Sequence, residues 1–366
     1  MFVSAPLAWL WIVAIVVGEW GHSAALGSLL VAGLSMWRGG RIGFAAAAIS
    51  AVAAVTYIVP AATAAVIARS LPARCSVAFG DRTAEAGRPA PFRWVDLFRG
   101  VRVSPVDVTE HAYATYEAKQ LKLDLYQSRQ RRGAQPLIMM IHGGSWNGGN
   151  KNQLPAINRY LASTGYTVAS LDYRHAPKYR FPAAVVDVFR AIDFLRANAA
   201  TLQIDATRIV LIGRSAGGQL ALSAAYAARE PAIRGAIAFY APTDLVVGYE
   251  KPSRPGVLDS HQVLEDYLGG TPAQKPAKYA AASPVSAVSS TTPPTLLIQG
   301  GLDPIVWPIH SELLASRLKV AARPHLYLAL PWATHGCDTN LSGPSSQLSL
   351  YVIDRFLANV AAPADK

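Results

Sequence analysis

The feature that most limits how this chain can fold is a run from Ile42 to Ala68 without a single charged residue. As a helix rising ~1.5 Å per residue, a run of this length can cross a hydrocarbon core ~30 Å thick. Pro60 lies inside it and predicts a kink, which membrane helices tolerate. A second apolar stretch, Phe2 to Trp37, is broken only by Glu19 and His22. It reads as one long helix, or as two short ones turning between Gly18 and Ser23. Residues 1–70 are therefore expected to form two or three transmembrane helices. A cleaved signal peptide fits poorly, because the first basic residue is Arg38 and no basic segment precedes the apolar run.

The composition agrees: 51% of the residues are hydrophobic and only 16% charged, a balance that places part of the chain in lipid. The expectation is an integral protein of a plasma (bacterial inner) membrane. Its orientation stays open. Arg38 and Arg41 draw the turn between the two apolar runs toward the cytoplasm, while Arg69, Arg74 and Arg82 draw the other flank to the same side. Both cannot sit there if the second helix spans.

A net charge of +11 raises the question of nucleic acid. The basic residues are scattered, their densest cluster (Arg129, Arg131, Arg132) falls beside Gly133 in an expected loop, and no nucleic-acid motif accompanies them. A solvated loop or attraction to anionic lipid accounts for the cluster, so membrane lipid is the expected partner and nucleic acid is not. Two cysteines, Cys75 and Cys337, make no disulfide framework and no cysteine metal site, although a single pairing would suit a periplasmic domain.

Residues 71–105 are richer in Pro, Arg and Gly and read as a connector. From residue 106 to 362 short apolar runs alternate with helix-like stretches. The runs are Leu121–Tyr126, Leu137–Ile141, Thr167–Leu171, Ile209–Ile212, Gly235–Tyr240, Thr295–Ile298 and Leu326–Leu330. Continuous apolar strands alternating with helices imply an α/β fold with a mostly parallel central sheet flanked by helices. Ligands in such sheets bind beyond the carboxyl ends of the strands, so chemistry is sought just after each run.

Gly213-Arg214-Ser215-Ala216-Gly217-Gly218 follows one run and opens a helix. A strand, tight turn and helix hold a serine hydroxyl proud of the sheet, and side chains at Gly213 and Gly217 would collide with the adjoining strand and helix. Upstream, His142-Gly143-Gly144-Ser145-Trp146 also follows a strand, where small residues let backbone amides approach a substrate carbonyl. The amides of Gly144, Ser145 and Ala216 are assigned to an oxyanion hole, Gly143 and Trp146 to a substrate pocket, and His142 to a structural role. A serine nucleophile needs a base oriented by an acid, in the order Ser, Asp or Glu, His. Of the later histidines, His335 alone sits in a loop just after a strand; His310 falls in a helix, His325 opens a strand, and His261 precedes any suitable acid. Asp303, in the loop after Thr295–Ile298, is the acid; Asp244 is the runner-up, and Asp338 is too near His335 in sequence.

Between Val106 and Val360 the chain resembles the esterase/lipase branch of the α/β-hydrolases, the group that includes acetyl esterases, hormone-sensitive-lipase-like enzymes and kynurenine formamidases. The resemblance rests on His142–Trp146, Leu171–Pro177, Phe181–Ala184, Gly213–Gly218, Ala281–Pro284, Gly300–Asp303 and His335–Gly336, in that order. It implies an α/β-hydrolase fold, a Ser215–Asp303–His335 triad, an acyl-enzyme, and no cofactor or metal. It also implies a small acyl ester as substrate, and the expected membrane anchor points to a lipid-like one. Ser145 departs from the family, where a third glycine is frequent, and so does His175, where leucine is commoner. Tyr173, Arg174 and Asp187 match the family and read as a buried polar network. The segment between Asp244 and Pro284 reads as a cap or as loop padding. Two alternatives accompany the esterase expectation: an amidase or formamidase using the same triad, and a catalytically silent membrane-tethered interaction module.

Overall fold

A computed structural model describes residues 3–82, 87–117, 119–227 and 230–362. Phe2 and part of the 71–105 segment lie outside them. Two long helices come first, α1 (Ala8–Arg38) and α2 (Gly40–Ala68). The chain reverses between them at Gly39 and Gly40, both with positive φ, so the helices form an antiparallel hairpin. The Phe2–Trp37 stretch is thus one helix from Ala8 onward, not two.

The polar residues that interrupt it turn inward. Glu19 accepts the Ser345 hydroxyl at 2.5 Å and the Ser345 amide at 3.3 Å, while its own carbonyl accepts from Asn340 at 2.9 Å. His22 packs edge-on against Phe98, ring centres 5.1 Å apart. Small residues (Gly21, Ala25, Ala32, Gly43, Ala47, Ala54) make up much of the buried side of the hairpin. A Cβ on Gly21 would lie 2.6 Å from the Tyr57 carbonyl oxygen, so glycine is what lets α1 approach α2 this closely. The other side presents large apolar groups to the exterior, with Leu30 70%, Trp37 88% and Ile42 87% exposed.

The connector segment carries α3 (Leu71–Phe79) and α4 (Asp96–Arg99). The sheet then follows as β1 (Val106–Tyr116), β2 (Lys119–Ser128), β3 (Gln135–Ile141), β4 (Thr167–Leu171), β5 (Ile204–Arg214), β6 (Ile233–Phe239), β7 (Thr295–Gly300) and β8 (His325–Leu330). Its order is β1-β2-β4-β3-β5-β6-β7-β8. The first two pairings, β1 with β2 and β2 with β4, are antiparallel and the rest parallel. Every expected strand is present. Strand β1 went unread because it is an edge strand whose mixed sequence (Val-Asp-Val-Thr-Glu-His) has no continuous apolar run.

Helices interleave as α5 (Pro155–Ser163), α6 (Ala183–Ala197), α7 (Ala199–Leu202), α8 (Ala216–Tyr226), α9 (Leu245–Glu250), α10 (Ser260–Leu268), α11 (Pro276–Ala282), α12 (Ile309–Val320) and α13 (Pro344–Val360). Alternation along each strand divides the core. Leu137, Met139 and Ile141 of β3 join one buried cluster with residues of α6, α8 and α12. Ile138 and Met140 join another, with α5, α13, α3 and Ala64 of α2. The hairpin base is therefore part of the second core layer.

Residues 87–99 are fastened to α13. The Arg88 amide donates to Asp354 at 2.7 Å and its guanidinium to Asp96 and Gln347, both at 2.9 Å. The Tyr160 hydroxyl reaches the same Asp354 oxygen at 2.6 Å. Cys75 and Cys337 are free and buried, with no disulfide between them.

Burial pushes the Asp354 carboxyl up from 3.8 to about 6, against the opposing pull of Tyr160 and Arg88. The folded chain thus holds this proton more tightly than the unfolded chain, so stability declines as pH rises from about 4 to about 6. Asp354→Asn, which cannot ionise, is expected to flatten that decline by up to about 3 kcal/mol. Unfolding midpoints of the full chain across this pH range measure it; a decline as steep as the parent's would assign the effect to another group.

Candidate active site

Strand β5 ends at Arg214, Ser215 adopts φ 52 and ψ −123, and α8 begins at Ala216. A non-glycine residue in this region is strained and persists only where its surroundings over-determine it. Here they do. The Ser215 amide donates to the Phe239 carbonyl of β6 at 2.9 Å. A Cβ on Gly213 would lie 2.1 Å from the Gly217 carbonyl oxygen, and one on Gly217 would lie 2.3 Å from the carbonyl oxygens of Ile141 and His142. Strand, turn and helix can close this tightly only with glycine at both places.

The loop after β3 faces the turn. Gly144, Ser145 and Trp146 all have positive φ. The Gly143 amide is taken by the Gln153 side chain at 2.8 Å. Among the described residues, the amides of Gly144, Ser145 and Ala216 donate to no protein acceptor, Ala216 being the first residue of its helix. Three amides are therefore free to receive a substrate oxygen. His142 points elsewhere: its Nδ1 lies 2.7 Å from the Gly143 carbonyl oxygen and its ring stacks on Tyr173 at 4.2 Å. Burial drives it down to about 4, so it is neutral at physiological pH. His175, the departure from the family pattern, packs edge-on against both rings, 5.8 Å from His142 and 5.2 Å from Tyr173.

Asp303 and His335 meet although 32 residues separate them: His335 Nδ1 lies 2.7 Å from Asp303 Oδ2. Asp303 is fully buried and its other oxygen accepts the amides of Ile305 and Val306 at 2.8 and 2.9 Å. Gln299 adds a bond to Oδ2 at 3.2 Å. This fixes the carboxylate, and through it the imidazole. Among the described residues no hydrogen bond joins the Ser215 hydroxyl to His335; such contacts commonly tighten only when substrate arrives. Asp244, the runner-up acid, caps α9 by accepting the Val246 and Val247 amides, both at 3.1 Å. His310 is held by the Thr243 amide at 3.3 Å and pushed down to about 4 by burial.

Ser215 shares a pocket with Ser145, Trp146, Ala216, Leu245 and His310. Trp146 is both wall and core: it stacks on Tyr267 at 4.3 Å and donates to Gln219 at 2.9 Å. Residues of α9 and α10 line this pocket, so the Asp244–Pro284 segment covers the site. The Tyr173, Arg174 and Asp187 network is also present. Arg174 Nε contacts both oxygens of Asp187 at 3.0 and 2.8 Å, and the Tyr173 hydroxyl donates to the His142 carbonyl at 3.1 Å.

Four contacts of this site have no counterpart in the sequence reading. The buried Arg214 guanidinium pairs with Asp338, and the Tyr240 hydroxyl reaches the same carboxylate at 2.5 Å. The Tyr240 ring lies 4.3 Å from that of His335. On the other side, Trp11 of α1 donates its indole N–H to the His335 carbonyl at 2.8 Å. Asp338 offered one signal, a carboxylate in the histidine loop; Trp11, inside a uniform apolar run, offered none.

Several known ester hydrolases are similar to this chain. The BD-FAE family model matches residues 123–318, more than half of the chain. Esterase LipC of Mycobacterium tuberculosis is 32% identical over 236 residues, 62% of this chain and 58% of LipC. The probable carboxylic ester hydrolase LipM of the same organism is 26% identical over 294 residues, 76% of this chain and 66% of LipM. The chain thus spans between half and two thirds of the length of these curated relatives. Among solved structures, the butyrate-bound thermophilic esterase Est2 of Thermogutta terrifontis is 26% identical with a TM-score of 0.56, over 71% of this chain and 96% of that one. By motif order, sheet topology and family match, the chain belongs to the BD-FAE family of α/β-hydrolase esterases.

Proposed function

We propose that this protein hydrolyses carboxylic esters with short- to medium-chain acyl groups, using Ser215 as nucleophile, His335 as base and Asp303 as the acid that orients it. The observation that carries the reading is the His335–Asp303 bond of 2.7 Å at the same carboxyl end of the sheet as a serine held at φ 52. His335 removes the Ser215 proton as the hydroxyl attacks the carbonyl carbon. The Gly144, Ser145 and Ala216 amides receive the oxyanion, each such donor being worth ~3 kcal/mol. His335 then protonates the leaving alcohol, and water repeats the sequence to release the acid. The ester hydrolases LipC and LipM, and the butyrate complex of Est2, support an acyl ester over an amide.

The domain organisation that fits is a membrane region at 1–70, a connecting segment at 71–105 and a catalytic domain at 106–362. The exposed apolar side of the hairpin supports a bilayer location, since an uncovered apolar surface of this extent is rare on a protein in water. Its interface of small residues is of the kind that packs helices in lipid.

Ser215→Ala is expected to lower hydrolysis of p-nitrophenyl butyrate by roughly 10⁴-fold or more while leaving the unfolding midpoint unchanged. It should also abolish labelling by a fluorophosphonate probe; a retained ester rate would remove Ser215 from the mechanism. Asp303→Asn, which keeps the size but misorients the imidazole, should cost about a thousandfold or more in kcat. In membranes from expressing cells, the full chain should stay in the pellet through a carbonate wash and leave it only with detergent. Recovery in the wash would rule out a bilayer-embedded hairpin.

A further inference from the structure

A cavity at Ser215 and a second one, between the hairpin and the loops that carry Asp303 and His335, differ in size and in neighbours. The one containing Ser215 holds about 40 Å³ and is lined by Trp146, Leu245 and Leu264. The other holds about 380 Å³, within the ~300–1,000 Å³ range of small-molecule sites. Its outer wall is the hairpin, through Leu10, Val17 and Val59. Its inner wall is Leu302, Trp332 and Thr334. Leu302 immediately precedes Asp303, and Thr334 immediately precedes His335.

We propose that the larger cavity holds the hydrocarbon chain of the leaving alcohol, so that the natural substrate is a short-acyl ester of a lipid-like alcohol delivered from the bilayer. This rests on the ester-hydrolase reading and deepens it. Three observations carry it. The first is chemical direction. The leaving oxygen must take its proton from the histidine, so the alcohol lies on the histidine side, and the large cavity is the one walled by the neighbours of His335 and Asp303. The acyl group lies on the oxyanion side, and the small cavity is the one lined by Ser145 and Ala216. The second is size: about 40 Å³ suits an acyl group of few carbons, and about 380 Å³ suits a long chain.

The third is continuity. The helices that wall the large cavity continue outward as exposed apolar surface, through Leu26, Leu30 and Val52. A chain passing from bilayer to cavity along them stays in apolar surroundings and avoids re-exposing its methylene groups to water. In the reaction the acyl carbon–oxygen bond to the lipid alcohol breaks as the Ser215 acyl bond forms. The alcohol leaves with the proton from His335, and water then yields the short carboxylic acid.

The full-length protein in mixed micelles, at fixed mole fraction of ester, tests this with two series. One is acetate esters of alcohols from ethanol to decanol; the other is p-nitrophenyl esters from acetate to decanoate. The expected result is that kcat/KM rises about tenfold or more with alcohol length and falls about tenfold or more with acyl length. A flat or falling alcohol series, as for a cavity plugged by ordinary bilayer lipid, would overturn the proposal, and so would a rising acyl series. Ala14→Trp and Val59→Trp place bulk in the cavity from opposite helices, and each should reduce the decyl-to-ethyl acetate ratio toward one. An undiminished ratio in both would also overturn it. If the wild-type protein cleaves no ester of either series, the ester-hydrolase reading fails instead.

Discussion

The buried pair between Arg214 and Asp338 is the contact on which the geometry of the site depends. Arg214 is the last residue of β5, immediately before Ser215, and Asp338 lies three residues after His335. Their ion pair, almost without solvent exposure, fixes the histidine loop to the end of β5. A charge taken out of water costs several kcal/mol unless it is matched, so neither partner can leave while the other stays. The Tyr240 hydroxyl satisfies the remaining carboxylate oxygen and sets its ring under the His335 imidazole. Asp303 holds the His335 ring through Nδ1, and the Arg214–Asp338 pair holds the loop that carries it.

The same loop receives the hairpin. Trp11 bonds to the His335 carbonyl, Glu19 holds Ser345 and Asn340, and Gly18 approaches Trp332. A hairpin tethered only by a flexible segment would leave these groups to water. Instead its base completes a core layer with α3 and α13, and its apolar exterior continues from that base. Hairpin and α/β domain are thus packed as one body, and the histidine loop lies at their junction.

How far the sequence could be read depended on the range of the interactions involved. Strand β4 was legible to the residue because a buried parallel strand must be apolar along its whole length. The turn at Ser215 was legible because its two glycines answer a local steric demand at 2.1 and 2.3 Å. Strand β1 was not, since an edge strand facing water needs no apolar run. Glu19 and His22 looked like interruptions of a membrane helix, and a helix can run through both only because Ser345 and Phe98 receive them from the far end of the chain.

By itself the sequence determined the alternation of strand and helix, the glycine-flanked turn at Ser215, the small-residue loop after β3 and the order of candidate acid and base. Each follows from periodicity or from sterics within a few residues. Loop position already favoured Asp303 over Asp244 and Asp338; only the tertiary structure supplied the contact with His335 and the physical reason, which is what surrounds each carboxylate. Asp244 is spent on a helix cap, Asp338 on a buried arginine, and Asp303 alone is brought by β7 to within 2.7 Å of the ring. The placement of the apolar hairpin against that same loop was likewise beyond the sequence. It depends on contacts more than 300 residues apart, which no local pattern records.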